Sequence, residues 1–125
     1  MRPPTRFLES FRYAGRGMRE TWRTQRNLRV QVLVGLVIIA LGWWLGVNSL
    51  QWAVLVLTMG LVLGLEMLNR AVEALGDAVT DEDHPLVGKA KDAGAGAVLM
   101  AAVAAVIVGL LILGPPLWQR LFGPV

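Results

Sequence analysis

The distribution of charged residues divides the chain into long apolar runs with short polar breaks. No charged residue occurs at 30–65, and polar side chains are sparse there. One membrane span needs about 20 apolar residues, so this run is long enough for two. The segment VNSLQ at 47–51 supplies polar turn residues between them. We predict transmembrane helices at about 30–47 and 51–79, the second with a polar extension that begins at Glu66.

A third apolar run, at 93–114, carries no charged residue and is rich in alanine and glycine. Pro115 and Pro116 follow it directly. Because proline removes a helix hydrogen bond, we predict that the third span ends there. Three spans in 125 residues leave no room for a second domain. The predicted fold is an all-α membrane protein in which 1–125 form one domain.

The segment at 5–26 precedes the first span and mixes apolar with basic residues. Its apolar residues recur at roughly helical spacing, at Phe7, Leu8, Phe11, Ala14, Met18 and Trp22. This pattern is typical of an amphipathic helix that lies at the membrane surface with its apolar face toward the acyl chains. The apolar region of a cleaved signal peptide would lie nearer the start of the chain, so we do not predict cleavage.

Basic residues are concentrated before the first span. Eight of the twelve Lys and Arg residues are Arg2, Arg6, Arg12, Arg16, Arg19, Arg23, Arg26 and Arg29. The turn at 47–51 has none, so the positive-inside rule predicts a cytoplasmic amino terminus, a cytoplasmic loop at 77–92 and an external carboxyl terminus. This orientation places an aromatic belt at the outer interface, formed by Trp43, Trp44, Trp52 and Trp118.

Composition supports a membrane protein and excludes several kinds of chemistry. Hydrophobic residues make up 55% of the chain and the mean hydropathy is +0.56, above the values of soluble domains. The chain has no cysteine, which excludes disulfides, thiolate zinc sites and a cysteine nucleophile. The sequence pI is about 10.2, and the position of the arginines beside a span favours contact with the membrane surface over nucleic acid.

Four polar residues follow the apolar part of the second span. At about 100° per residue, Glu66, Asn69, Glu73 and Asp77 share one helix face, which we call the polar stripe. Clustered oxygen ligands bind Mg²⁺ together with nucleotide phosphates, and a carboxylate can accept the proton of an attacking hydroxyl. The polar stripe is therefore a candidate phosphoryl-transfer site.

Arg70 offers a structural explanation of the same residues. It lies four positions after Glu66 and can neutralise that acid across one helical turn. The other acids would then decorate a solvated helix end. We expect one arginine to neutralise only one acid, however, and a charge near the bilayer centre costs about 2.5–3.5 kcal/mol. The shared face therefore favours a functional site.

Two lysines and an acid precede the third span. Lys89, Lys91 and Asp92 can hold phosphate or metal beside the polar stripe, although they also fit the charge that ordinarily flanks a span on the cytoplasmic side. The segment lacks the spacing of a P-loop. Gly94 and Gly96 open a membrane helix without a preceding strand, which favours close helix packing over a dinucleotide fingerprint.

Three motifs of the chain match a known family. The pattern ExxNxAxExxxD is formed by Glu66, Asn69, Ala71, Glu73 and Asp77. AKDxxxxAV follows at Ala90, Lys91, Asp92, Ala97 and Val98. FxxAxxGxxxxWxxxxNxR is formed by Phe11, Ala14, Gly17, Trp22, Asn27 and Arg29. Over essentially its whole length, the chain resembles the prokaryotic diacylglycerol kinase and undecaprenol kinase family.

The resemblance implies an assembly and a reaction. It implies a homotrimer of three-span subunits in the bacterial inner membrane, with active sites at the subunit interfaces. The expected reaction transfers the γ-phosphoryl group of ATP, with Mg²⁺, to the hydroxyl of a membrane lipid alcohol. Diacylglycerol and undecaprenol both remain possible acceptors, although the segment QRNLR favours undecaprenol slightly. Nucleic acid is not an expected partner.

The resemblance also implies residue roles. Glu66 would be the general base, Asn69 an amide that organises the site, and Glu73 a metal ligand. The nucleotide and metal site would include Lys91 and Asp92. From the residues themselves, Lys89 and Asp77 are further candidates for the nucleotide site. The family commonly has an acidic second metal ligand where this chain has Gln25, whose neutral amide oxygen can coordinate Mg²⁺ but supplies no charge.

Other interpretations predict no catalysis. An oligomeric pore with an acidic vestibule would use rings of one charge type, and would not need Lys91 and Asp92 beside the polar stripe. A small structural subunit would use the polar face to bind a partner helix. His84 is a candidate nucleotide contact, although its position in the DEDHP loop favours a solvated histidine.

Overall fold

The computed structural model describes residues 7–124, and its regular structure in that range is helical throughout. Four helices follow in order: α1 (Phe7–Thr24), α2 (Arg26–Leu45), α3 (Ser49–Val79) and α4 (Pro85–Phe122). The last three are long and apolar enough to cross a membrane. The predicted fold class is confirmed. Outside the described residues lie positions 1–6 and 125, with Arg2, Arg6 and the first two positions of the predicted surface helix.

α1 presents apolar side chains that the rest of the described chain does not cover. Phe7, Phe11, Met18 and Trp22 are all exposed, and α1 contains no buried residue. An uncovered apolar face on a basic helix is typical of a helix that lies on lipid. Gln25 alone separates α1 from α2, in an extended conformation with φ −116° and ψ 107°. The first helix therefore ends slightly before the predicted boundary at residue 26.

The turn between α2 and α3 is formed by the polar residues that the sequence places there. Gly46 adopts the left-handed conformation, with φ 70°, and its N–H donates to Gly42 O at 3.0 Å. Asn48 and Gln51 form a capping box, in which each side-chain oxygen accepts the backbone N–H of the other, at 2.9 and 3.0 Å. The indole of Trp52 lies directly on Gly42.

α4 begins earlier than the predicted third span. Its cap is His84, whose Nδ1 accepts hydrogen bonds from the backbone N–H groups of Leu86 at 3.2 Å and Val87 at 3.4 Å. Pro85 follows at the first helical position, where its fixed φ suits the helix and its missing N–H is not needed. The polar residues before position 93 thus form helix rather than loop.

The expectation that the helix of the third span stops at Pro115 and Pro116 is wrong. α4 continues through both prolines to Phe122. In lipid, leaving the helix would expose further backbone groups to hydrocarbon, so the loss of two hydrogen bonds is the smaller cost. A contact beyond the prolines also holds this end, because Arg120 Nη2 donates to Trp44 O at 3.1 Å and its guanidinium lies 5.0 Å from the Trp44 ring centroid.

Most apolar side chains of the three long helices face outward. The buried hydrophobic residues of the described chain are Leu28, Leu55, Ala101 and Leu113. Large apolar residues such as Leu57 are exposed along every span. Such a surface is stable against acyl chains or against another membrane chain. The chain is an integral membrane protein.

The long helices alternate in direction, which gives the bundle two different ends. The tryptophan end contains Trp43, Trp44, Trp52 and Trp118, as expected for one aromatic belt. The carboxylate end contains the second half of α3, with Glu66, Glu73 and Asp77, and the first half of α4. Which end faces the cytoplasm stays a prediction.

Candidate active site

Glycines allow α3 and α4 to approach closely at the carboxylate end. A Cβ on Gly94 would lie 2.5 Å from Asn69 Oδ1, and one on Gly76 would lie 2.9 Å from Lys91 Cε. The predicted packing role of Gly94 is confirmed. A Cβ on Gly96 would meet no atom of the described chain within 4 Å, so Gly96 has no such role within this subunit. The close approach brings Lys91 and Asn69 to the same interhelical surface.

Arg70 binds two acids of the polar stripe at once. Its Nε and Nη2 donate to Glu66 Oε1 at 3.1 and 2.9 Å, and its Nη1 donates to Glu73 Oε2 at 2.8 Å. The expectation that Arg70 would neutralise only one acid is therefore wrong. The planar guanidinium has donors on several edges, and Glu66 and Glu73 lie four residues before it and three residues after it on one helix face.

The two acids that share Arg70 differ in solvent exposure. The side chain of Glu66 is only 2% exposed, whereas that of Glu73 is 38% exposed. A buried carboxylate needs a partner, and breaking such a pair is strongly destabilising. Arg70 thus supplies the partner that the buried Glu66 needs at a place where water has little access. Glu66 Oε2 and Glu73 Oε1 take no part in the contacts with Arg70.

Asp77 is joined to α4 by an ion pair. Lys91 Nζ donates to Asp77 Oδ1 at 2.6 Å, across fourteen positions of sequence. This contact places Lys91 at the end of the polar stripe, as the sequence argument requires. Across Glu66, Glu73, Asp77, Arg70 and Lys91 the formal charge is −1, so the site is much less acidic than its three carboxylates alone suggest.

Asn69 carries a buried acceptor that nothing in the described chain satisfies. Its side chain is 6% exposed, and within residues 7–124 no donor reaches Oδ1. An unsatisfied buried polar group costs about 1–3 kcal/mol, so such groups are retained mainly where they serve a function. The amide lies one helical turn from Glu66 and faces Gly94 on α4.

The remaining predicted residues lie around this core without direct contacts to it. Lys89 and Asp92 are exposed on the first turns of α4, and neither bonds to the polar stripe within the described range. Gln25 is half-buried at the break between α1 and α2. His84 is exposed, and its Nδ1 is engaged as the helix cap.

An open groove adjoins Lys91 at the start of α4. Its volume is about 360 Å³, and its lining residues are Glu82, Asp83, His84, Pro85, Gly88 and Lys91. The groove is reached from outside the bundle, next to the Asp77 ion pair. The two acids on its wall would repel phosphate, while Lys91 and His84 offer donors to it.

The residues present fit a metal that arrives with phosphate ligands. Within 7–124 no three His, Asp or Glu side chains form a cluster able to hold a metal by themselves. Mg²⁺ in nucleotide sites usually needs only one or two carboxylates, because phosphate oxygens and water complete its octahedral shell. Glu73 is half-exposed and has an oxygen that Arg70 does not bind, so it can serve as such a carboxylate.

Comparison with known proteins identifies the family. The sequence profile of the family described as prokaryotic diacylglycerol kinase matches residues 12–113. The chain belongs to the prokaryotic diacylglycerol kinase family. It is an integral membrane lipid kinase, and membership implies ATP as the phosphoryl donor. The resemblance inferred from the three motifs is confirmed, and the pore and the structural subunit are set aside.

Three curated relatives cover most of this kinase. It is 42% identical over 112 residues to an undecaprenol kinase of Bacillus subtilis, covering 90% of this chain and 91% of that protein. It is 46% identical over 111 residues to a diacylglycerol kinase of Synechocystis, covering 88% of this chain and 63% of that protein. With a diacylglycerol kinase of Escherichia coli K12 it shares 34% over 109 residues, or 87% and 89% of the two chains.

Two features of this family member were missed by sequence reasoning. The double pairing of Arg70 could have been found from its spacing, since an arginine four residues after one glutamate and three before another reaches both on a helix. The buried, unsatisfied Oδ1 of Asn69 had no signal in the sequence, because it depends on how closely α4 approaches at Gly94.

Proposed function

We propose that this lipid kinase transfers the γ-phosphoryl group of ATP, taken as its Mg²⁺ complex, to the hydroxyl of diacylglycerol or undecaprenol at the inner surface of the bacterial cytoplasmic membrane. One observation carries the proposal. A buried carboxylate, Glu66, is coupled through Arg70 to a half-exposed carboxylate, Glu73, where an apolar helix becomes polar. A lipid hydroxyl and a water-soluble nucleotide can both reach such a boundary.

Glu66 is proposed as the general base. As the lipid hydroxyl oxygen bonds to the γ-phosphorus, its proton passes to a Glu66 oxygen, and the bond from phosphorus to the bridging oxygen breaks to release ADP. Glu66 Oε2 is the oxygen not engaged by Arg70, so it is the acceptor we favour. Asn69, whose Oδ1 has no donor within residues 7–124, is proposed as the amide that organises the site.

The nucleotide and the metal are assigned to the exposed part of the site. Glu73 is proposed to hold Mg²⁺, with Gln25 as a weaker neutral ligand. When bound, Mg²⁺ neutralises charge on the transferring phosphoryl group. The phosphates would be held by Lys91 and Lys89, with Asp77 and Asp92 orienting the ammonium groups. The 2.6 Å contact between Lys91 and Asp77 supports this arrangement.

A homotrimer is proposed because one chain leaves the site open. Large apolar residues are exposed on every span, and only a small part of each helix is buried within the subunit. A neighbouring chain would cover some of these faces and complete the site from another side. The accumulation of arginines before α2 supports a cytoplasmic amino terminus.

The decisive substitution is Glu66→Gln. The amide keeps the size of the side chain but cannot accept the proton, and loss of a general base lowers kcat by about 100-fold to 10,000-fold. The measurement is ATP- and Mg²⁺-dependent formation of lipid phosphate in mixed micelles. Thermal unfolding in detergent verifies folding, and Glu9→Gln on the surface helix is the matched control. Near-normal turnover of Glu66→Gln would refute the assignment of the base.

The acceptor is tested in the same assay with diacylglycerol and undecaprenol side by side. The relatives differ in their acceptor lipid, since one is named an undecaprenol kinase and another a diacylglycerol kinase. We expect a clear preference in kcat/KM for one alcohol. Failure of the wild-type enzyme to phosphorylate either alcohol would refute the proposed function.

A further inference from the structure

Arg70 joins the two carboxylates to which the proposed function gives different tasks. Three of its N–H groups are engaged, two with Glu66 Oε1 and one with Glu73 Oε2. A guanidinium carries five N–H donors and does not lose its charge in proteins. The positive charge next to Glu73 is therefore permanent, and two donors remain for another acceptor.

The contact with Glu73 is more than Glu66 requires. Glu66 already receives two hydrogen bonds from Arg70, both at Oε1. Glu73 is 38% exposed, so water could solvate it without help from an arginine, and an exposed pair adds little stability. The third hydrogen bond therefore needs an explanation other than stability.

The positive charge of Arg70 affects whether a metal ion can bind at Glu73. A metal ion held by Glu73 Oε1 would lie within a few ångströms of a guanidinium that is 2.8 Å from the other oxygen of the same carboxylate. Like charges at such distances repel strongly at the low dielectric of a half-buried site. Nucleotide phosphates would relieve this repulsion, because they bring negative charge for the metal and acceptors for the free donors of Arg70.

We infer that the fixed positive charge of Arg70 beside Glu73 keeps the nucleotide-free enzyme from holding Mg²⁺. Metal binding then depends on nucleotide. The inference rests on the proposed function, because it concerns the carboxylate assigned there to the metal. Arg70 acts on the metal through Glu73, so toward the metal it is a positioning residue. The charge of Arg70 makes the nucleotide bind before or together with the metal. Its planar guanidinium holds Glu66 and Glu73 in fixed positions relative to each other.

The test measures metal binding without turnover. Mn²⁺ serves as the probe, and its binding to the full chain in detergent is followed by electron paramagnetic resonance, first without nucleotide. We expect Arg70→Gln to bind Mn²⁺ about tenfold more tightly than the wild type, because a fixed positive charge next to the ligand is gone. A merely structural arginine predicts the opposite sign, since loosening the site would weaken metal binding.

Three further variants localise the effect. Arg70→Lys keeps the charge, but a compact ammonium cannot hold both acids, so a smaller gain in affinity is expected. Arg23→Gln removes an exposed arginine from α1 and should leave Mn²⁺ binding unchanged. Adding Glu73→Gln to Arg70→Gln should abolish the gain. With saturating ATP, wild type and Arg70→Gln should bind Mn²⁺ within about threefold of each other.

The outcomes separate this inference from the proposed function. Equal or weaker Mn²⁺ binding by Arg70→Gln, with an active wild type, would overturn the inference alone. An inactive wild type would overturn the proposed function instead. If Arg70→Gln fails to fold because Glu66 is left unpaired, Arg70→Lys decides the question, and unchanged affinity in that variant counts against the inference.

Discussion

The two ends of the α3 helix satisfy their polar groups in different ways. At the tryptophan end, Asn48 and Gln51 cap each other, and the ring of Trp52 fills the space beside Gly42. At the carboxylate end, Glu66 is almost fully buried and the buried amide oxygen of Asn69 has no partner within the described chain.

This difference separates stability from chemistry along one helix. Local rules of capping and packing are obeyed where α3 begins, and they are broken where it meets the start of α4. Proteins usually break such rules at functional sites, and compensate for them elsewhere. We therefore expect substitutions of Asn69 and Glu73 at the carboxylate end to change activity more than stability, and substitutions at the tryptophan end to do the reverse.

The sharpest test of this comparison is Asn69→Leu. Leucine has the same branched shape and removes the unsatisfied oxygen, so the free energy of unfolding should stay constant or rise. Turnover should fall by about 100-fold, a typical effect of removing a polar group that orients the reacting atoms. Thermal unfolding and lipid phosphate formation are measured on the same preparation. A variant that is destabilised but active would show that the amide is structural.

Glu73→Gln should change the metal requirement. A charge-assisted contact is worth about 1.5–3 kcal/mol, so the Mg²⁺ concentration for half-maximal activity should rise by at least about tenfold. Stability should hardly change, because Glu73 is half-exposed. Glu82→Gln, in the loop before α4, is the control of equal charge. An unchanged Mg²⁺ requirement would exclude Glu73 as the metal ligand.

Gly42→Ala tests the tryptophan end and should have the smallest effect on turnover. A Cβ at this position would lie 2.8 Å from the Trp52 ring, and overpacking of this kind costs about 1–3 kcal/mol. The folded fraction should keep its kcat, since the site lies at the other end of the bundle. Gly60→Ala is the control, because a Cβ there meets nothing within 4 Å. A specific loss of kcat would show that the ends are coupled.

The order of the helices and the position of the polar stripe could be predicted because both depend on local periodicity. A run of apolar residues longer than one span must turn, and VNSLQ contains the residues that form the cap. Glu66 and Glu73 are seven residues apart, so any helix places them on one face. The prediction fails at Pro115, because the rule for proline in water does not include the cost of exposing backbone to lipid.

The amino-acid sequence by itself determined three membrane helices, a basic surface helix and a stripe of acids with the motifs of a lipid kinase, since spacing along a helix fixes which residues share a face. Only the tertiary structure decided that Lys91 pairs with Asp77 and that Asn69 packs against Gly94. These features depend on side-chain rotamers and on the distance between α3 and α4. A periodic pattern encodes neither of these, and the short distance between the helices follows from packing at Gly76 and Gly94.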